Sequence, residues 1–339
     1  MRRGSIVQLV LLGMLFGAGA AAVALLVPWL PDPASKQADR IDFVFWFVTV
    51  ICIAIFALVA AVIVYSLLRF RARADDDSDG PPVHGHTGLE IAWTAVPAAL
   101  VTAISIVSAI VLARNDHLPS ASAAGGDPMK PLVVDVTAQQ FAWLFKYPGF
   151  GNVSSSTLQL PLRVPVHLRL HSLDVIHSFW VPQFGQKQDA VPGLETKLVI
   201  TPTRLGTFPV ICTELCGLGH ALMRSQAIVM SRDKFTAWTK QQGGGGGQSG
   251  KQLFTSNGCD GCHTFKPASA TGKVGPDLDK LPEEARRAGK PLEQFIRESI
   301  VKPDAYVEPG YPKGVMPGTF SSLPKDQLDA LVKFLEGSK

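Results

Sequence analysis

Long apolar runs fill the first third of the chain, and short alternating runs follow them. Phe43 to Leu68 is almost continuously apolar. As a helix of about 26 residues it would extend roughly 39 Å, enough to cross a hydrocarbon core of about 30 Å. A second apolar run covers Ile91 to Leu112. Together the two runs predict a transmembrane helical hairpin over residues 41–114.

The chain also begins with an apolar run, from Ile6 to Val27, directly after Arg2 and Arg3. This pattern is typical of a secretory signal over residues 1–30, and an uncleaved signal anchor is the alternative because the run is long. Three arginines follow the first span of the hairpin and mark a cytoplasmic loop by the positive-inside rule: Arg69, Arg71 and Arg73. The residues after Pro119 are therefore expected outside the cytoplasm.

Short runs with strand character occupy residues 130–240. In one of them Val166, Leu168 and Leu170 alternate with polar residues, which indicates a half-buried strand. Several such runs separated by turn residues predict an antiparallel sandwich or barrel. The predicted strands are Leu132 to Val136, Val164 to Leu170, Leu198 to Thr201, Thr207 to Ile211 and Gln226 to Met230.

A glycine run, Gly243 to Gly247, predicts a flexible linker over residues 241–250. The last part of the chain, 251–339, contains two helical stretches, Leu292 to Val301 and Lys325 to Leu335. The expected fold class is therefore α+β, in a membrane-anchored chain with a β-domain and a separate all-α domain.

Composition supports a membrane-anchored chain. Hydrophobic residues make up 47% of the sequence, and the mean hydropathy of +0.20 is high for a purely soluble protein. The net charge of +4 is modest, and basic residues form no stripe interleaved with aromatics. Nucleic acid is therefore not an expected partner.

Soft metal ligands are concentrated between Cys212 and Met223, where Cys216 and His220 lie between them. Thiolate, thioether and imidazole groups together select copper. His177, in a separate loop, is a candidate to complete the site. A disulfide between the two cysteines is one alternative. A tetrahedral zinc site is another, but it leaves the methionine without a role.

A second cysteine pair lies in Cys259-Asp-Gly-Cys262-His263, which is the attachment pattern of a c-type haem. Two thiols at this spacing can form thioethers to one porphyrin, and the adjacent imidazole can ligate the iron. A thioredoxin-like redox pair is disfavoured because the surrounding sequence has no βαβ pattern.

The spacing Cys212-x-Glu214-x-Cys216-x-x-x-His220-x-x-Met223, with His177 upstream, resembles the dinuclear copper (CuA) signature of cytochrome c oxidase subunit II. The resemblance runs from about residue 40 to 232 and implies a cupredoxin-like β-sandwich. It also implies a magnesium ion shared with subunit I through the Glu214 side chain. The implied copper ligands are His177, Cys212, Glu214 through its carbonyl oxygen, Cys216, His220 and Met223.

The same resemblance implies roles for three further residues. Glu90 precedes Trp93-Thr-Ala-Val-Pro97 and matches the glutamate at the start of a proton path into subunit I. Phe141 and Trp143 match the region that receives electrons. Many relatives have tryptophan where this chain has Phe141, which puts the usual docking route of a soluble cytochrome in doubt.

Residues 248–339 resemble a mono-haem cytochrome c. After the linker the chain has one histidine, His263, and one methionine, Met316, which makes these two the expected axial ligands of the haem iron. A haem c fused to a CuA domain resembles the caa-type oxidases.

That resemblance implies an electron-transfer subunit in a bacterial cell membrane, with its copper and haem on the extracytoplasmic side. Implied partners are subunit I, other oxidase subunits, membrane lipid, and a donor cytochrome or upstream complex. A CuA-containing nitric oxide reductase subunit is the alternative. A copper-delivery protein and a structural disulfide-and-zinc module are disfavoured, because they leave the haem motif or Met223 unused.

Overall fold

In the computed structural model, residues 3–71, 82, 85–117, 131–151, 153–243, 249–316 and 318–337 are described. Contacts divide the chain into two compact units. The first comprises Met1–Asp32 and Asp39–Arg114, and the second comprises Pro33–Ala38 and Asn115–Lys339. Half of the predicted linker 241–250, residues 244–248, lies outside the described residues.

The first unit is built from three long apolar helices: α1 (Arg3–Leu26), α2 (Lys36–Arg69) and α3 (Thr87–Asp116). Each is long and apolar enough to cross a membrane. The two predicted spans lie inside α2 and α3, and the N-terminal run forms a helix of its own. Pro97 lies within α3 without ending it.

Ten strands form the β-part of the second unit. They are β1 (Leu132–Gln139), β2 (Ala142–Tyr147), β3 (Val153–Ser155), β4 (Leu158–Pro161), β5 (Val166–Ser172), β6 (His177–Trp180), β7 (Lys187–Ala190), β8 (Thr196–Ile200), β9 (Gly206–Cys212) and β10 (Arg224–Met230). They make two five-stranded sheets, in the orders β3-β2-β1-β5-β8 and β4-β10-β9-β6-β7. The predicted strands all appear, with ends shifted by at most three residues.

The two sheets share one core, which makes the β-part a sandwich. Every second residue of β1 and of β5 is buried, as an amphipathic strand requires. These strands pair in parallel, with Val134 opposite Leu168, while the other sheet contributes Phe179 and Val210 to the same buried cluster. The helix α4 (Arg232–Gly243) follows β10 and adds Phe235 to this core.

The C-terminal part of the second unit is mainly helical. Its helices are α5 (Gly250–Ser256), α6 (Cys259–Cys262), α7 (Leu281–Arg287), α8 (Leu292–Val301) and α9 (Lys325–Glu336), with a short β11–β12 pair at Thr264–Phe265 and Ala270–Thr271. A second buried cluster, which includes Phe254, Phe295 and Leu331, holds these helices together. The two predicted helical stretches correspond to α8 and α9.

Candidate metal and haem centres

The copper-ligand candidates are held at one end of the second sheet. His177 is the first residue of β6 and Cys212 is the last residue of β9, and these two strands are antiparallel neighbours. The loop after β9 carries Cys216. It ends in a short helical turn, His220–Leu222, and Met223 then precedes β10. Residues far apart in sequence therefore meet because their strands pair.

Soft donor atoms converge in this loop. The Sγ atoms of Cys212 and Cys216 lie 3.8 Å apart, and His177 Nδ1 lies 3.9 Å from Cys212 Sγ. Cys216 Sγ lies 3.5 Å from His220 Nδ1 and 3.9 Å from Met223 Sδ. The sulfur of Cys212 also lies 3.3 Å from the carbonyl oxygen of Glu214. All six predicted copper ligands are thus brought together.

This donor set fits copper better than the alternatives. A disulfide bond is about 2.05 Å long, so the two thiols, 3.8 Å apart, are not bonded to each other. Zinc accepts thiolates and imidazoles, but the buried thioether of Met223 beside Cys216 is a ligand typical of copper.

Hydrogen bonds lower the pKa of the Cys212 thiol, which favours the thiolate that binds a metal. Burial alone raises the pKa of Cys212, but hydrogen bonds to His177 and to nearby backbone groups lower it to about 6. Burial and the charge of Cys212 raise the pKa of Cys216 to about 12. Burial lowers the pKa of His177, but its hydrogen bonds to Asp174 and Cys212 raise it to about 9. Metal binding replaces these protons.

Asp174 is a functional candidate that the sequence analysis did not single out. Its Oδ1 atom lies 2.8 Å from His177 Nε2, which leaves Nδ1 directed at the thiols. A carboxylate that holds the second nitrogen of a ligating histidine is a common feature of metal sites. Its position three residues before His177 is the sequence feature that could have indicated this role.

The haem-binding candidates line one cavity in the helical part. Cys259, Cys262, His263 and Met316 all contribute to its wall. Its mostly apolar lining suits a large flat cofactor. Residues of the β-part, Gln139, Gln140 and Ala142, also line it.

His263 is set up to ligate an iron atom. Its Nδ1 atom lies 2.8 Å from the Pro276 carbonyl oxygen, which can only accept, so Nε2 keeps its lone pair. Burial lowers the pKa of His263 and favours the neutral ring. A Cβ at Gly275 would lie 2.4 Å from His263 Cε1, so a glycine is needed there. These residues fit a c-type haem.

The remaining predicted residues lie in different surroundings. Phe141 is buried, with 4% of its surface exposed, and Trp143 is buried beside His177 with its ring centroid 6.2 Å away. The Trp143 Nε1 atom has no hydrogen-bond partner among the described residues. Glu90 is exposed in the first turn of α3, which belongs to the other unit.

Family comparisons agree with this architecture. The chain matches cytochrome C oxidase subunit II, transmembrane domain, over residues 22–111, the periplasmic domain of the same subunit over residues 153–231, and cytochrome c over residues 247–339.

Curated relatives give the same result. A cytochrome c oxidase subunit 2 from Alkalihalophilus pseudofirmus is 30% identical over 91% of this chain and 90% of the relative. The Bacillus subtilis protein of that name is 29% identical over the same shares. That of Thermostichus vulcanus is 37% identical over 62% of this chain and 78% of the relative. The chain therefore belongs to the cytochrome c oxidase subunit II family, in the caa-type form that carries a fused C-terminal cytochrome c domain.

Proposed function

We propose specific roles for the residues of the two centres in this electron-transfer subunit of a respiratory haem-copper oxidase. His177, Cys212, Cys216, His220 and Met223, with the Glu214 carbonyl, hold dinuclear copper. Cys259 and Cys262 hold the haem covalently, and His263 and Met316 are its axial ligands. The observation that supports this assignment best is the convergence of two thiols, two imidazoles and a thioether at one end of the second sheet.

The subunit passes electrons from a donor by way of haem c and CuA to subunit I, which reduces oxygen to water and pumps protons. When bound, the two cofactors supply one-electron redox chemistry. The protein positions the ligand side chains and excludes water from the copper site. Asp174 orients His177, and Cys212, Cys216 and Met223 are buried. The nitric oxide reductase alternative is not favoured, because the relatives are oxidase subunits.

Glu214 and its neighbours are the proposed contact with subunit I. The glutamate is exposed, as is Leu215 beside it, and Leu218 is 92% exposed. Exposed apolar side chains around a metal loop favour a protein interface. We assign a magnesium ligand role to the Glu214 carboxylate at that interface, and the start of a proton path to Glu90.

The proposed location is a bacterial cell membrane, with both redox parts on the extracytoplasmic side. Three membrane-spanning helices and the arginines after α2 support this orientation. The proposed domains are residues 1–30, 41–114, 130–240, 241–250 and 251–339. The donor is a cytochrome or an upstream complex. Phe141 and Trp143 remain the proposed electron-uptake region, although both are buried.

The test is Cys216→Ser in the full chain, purified with its partner subunits. We expect loss of the mixed-valence copper signal in electron paramagnetic resonance, with the covalent haem content unchanged in a pyridine haemochrome assay. Ser225→Ala in β10 is the matched control. A variant that keeps the dinuclear copper signal would contradict the ligand assignment.

A further inference from the structure

The haem-attachment segment lies directly against the β-part of the same unit. The Cβ positions of Gly258 and Gly261 would each be 3.8 Å from the Ala142 Cβ atom. Ser156 donates a hydrogen bond of 2.5 Å to Asp260, the residue after the first haem cysteine. The turn between β1 and β2 therefore forms one wall of the haem cavity.

One dipeptide in that turn contacts both centres. Burial raises the pKa of the Cys262 thiol, and the backbone N–H of Phe141, which faces its sulfur, acts in the opposite direction. Gln140 Nε2 donates a hydrogen bond of 2.5 Å to the carbonyl oxygen of Cys216. The covalent path between these two donors runs only through the Gln140 residue.

The copper loop is shaped to receive this dipeptide. Gly217 has a φ of +128°, and a Cβ there would lie 2.8 Å from Gln140 Nε2. A Cβ at Gly219 would lie 2.4 Å from Phe141 Cδ2. Side chains at either glycine would push the loop away from the turn, so the close approach depends on both.

Gln140 is also anchored from the other side. Its backbone N–H donates a hydrogen bond of 2.6 Å to Asp174 Oδ2, and the other oxygen of that carboxylate bonds His177. The residue is thus fixed at its backbone and at its side-chain amide. A fixed hydrogen bond brings two groups close together, which shortens the through-space gap that an electron must cross between them.

We propose that Gln140 couples the two redox centres, so that an electron passes from the Cys262 thioether through the Phe141 N–H, the Gln140 side chain and the Cys216 carbonyl to the copper ligand Cys216. The step exchanges one electron: the haem iron is oxidised by one and the copper pair is reduced by one. No bond is made or broken, and no proton moves. The inference rests on the proposed ligand assignments.

The test uses the intact oxidase with this chain as its second subunit. One electron is injected photochemically into haem c, and the rate of copper reduction is followed by absorbance. Gln140→Leu removes the amide donor and adds no charge. We expect it to slow the transfer about tenfold, equivalent to about 1.4 kcal/mol of activation free energy.

Two measurements separate electronic coupling from a structural role. The midpoint potentials of haem and copper, and the copper electron paramagnetic resonance signal, should not change in Gln140→Leu, which adds no charge. Gln226→Leu, on an exposed position of β10, makes the same substitution away from both centres and should keep the wild-type rate.

Phe141→Leu tests the competing route through the aromatic ring, because it keeps the backbone N–H. A wild-type rate in Gln140→Leu would overturn the proposal, and a slowed rate in Phe141→Leu would then assign the path to the aromatic ring. A slowed rate with shifted potentials would also overturn it, because the driving force would then explain the change. Failure of the ligand assignments is distinguishable, since it appears as intact copper in Cys216→Ser.

Discussion

Nε2 of His177 lies 2.8 Å from Oδ1 of Asp174, while Nδ1 of the same ring faces the sulfur of Cys212 at 3.9 Å. The carboxylate therefore selects the ring nitrogen that is available to copper. We expect Asp174→Ala to weaken copper binding by roughly 10- to 100-fold, the usual cost of losing such a partner. Competition with a copper chelator measures the effect.

Asp233→Ala, on an exposed position of α4, is the control for that substitution and should leave copper affinity unchanged. Equal affinities in Asp174→Ala and the wild type would mean that the carboxylate does not orient the ligand.

Gly275 and Gly318 form a matched pair in the helical part. A Cβ at Gly275 would lie 2.4 Å from the His263 ring, whereas a Cβ at Gly318 meets nothing within 4 Å. We expect Gly275→Ala to displace the ring and to destabilise the haem-loaded fold by about 1–3 kcal/mol. Denaturant unfolding followed by haem absorbance should show no such loss in Gly318→Ala.

Met316 lines the same cavity as His263. We expect Met316→Ala to abolish the sulfur-to-iron charge-transfer band of the oxidised haem and to lower its midpoint potential, because thioether ligation raises that potential. Met230→Ala, in the β-part, should keep the band. A band that survives in Met316→Ala assigns the sixth ligand elsewhere.

Glu284 lies in α7, is 5% exposed and lines the haem cavity. Burial and the nearby Glu308 raise its pKa from 4.5 to about 7, although Arg287 opposes the shift. The folded chain therefore keeps a proton between about pH 4.5 and 7 that the unfolded chain has released. The stability that this proton contributes is fully present below that range and is lost as pH rises through it.

Glu284→Gln should remove this pH dependence and stabilise the haem part above pH 7, by up to about 3 kcal/mol. Glu283→Gln, on the exposed face of the same helix, is the control. Urea midpoints at pH 5 and pH 8 measure the difference. Parallel pH profiles for Glu284→Gln and the wild type would assign the titration to another group.

Glu90 is exposed in the first turn of α3, and its Oε1 atom accepts a hydrogen bond of 3.3 Å from the His86 backbone N–H. We expect Glu90→Gln to slow oxygen consumption about tenfold by removing a proton carrier. Copper and haem reduction should stay fast. Asp116→Asn, at the opposite end of α3, should leave turnover unchanged; an unaffected rate in Glu90→Gln excludes the proton role.

Local patterns predicted the apolar helices, five of the ten sandwich strands, two of the C-terminal helices and the ligand types. The apolar runs lie inside α2 and α3, and the proposed copper ligands other than His177 lie within residues 212–223. Helix α4 was not predicted, because its apolar residues Phe235 and Trp238 are few and pack against the sandwich.

Contacts between distant segments could not be read from the sequence. Gln140 and Cys216 are 76 positions apart, and Ser156 and Asp260 are 104 apart. No hydrophobic pattern in the sequence indicates that the β1–β2 turn closes the haem cavity. The burial of Phe141 could not be predicted for the same reason, because the copper loop, which is distant in sequence, packs over its ring.

The paired strands β6 and β9 hold the proposed copper ligands in place through backbone atoms. Phe179 lies opposite Cys212 in their ladder, the Thr213 N–H donates to the Ser178 carbonyl at 2.9 Å, and the Cys212 N–H donates to the Met223 carbonyl at 3.2 Å. These bonds join backbone atoms and leave the donor side chains free. We therefore expect the sheet to place the ligands before copper binds.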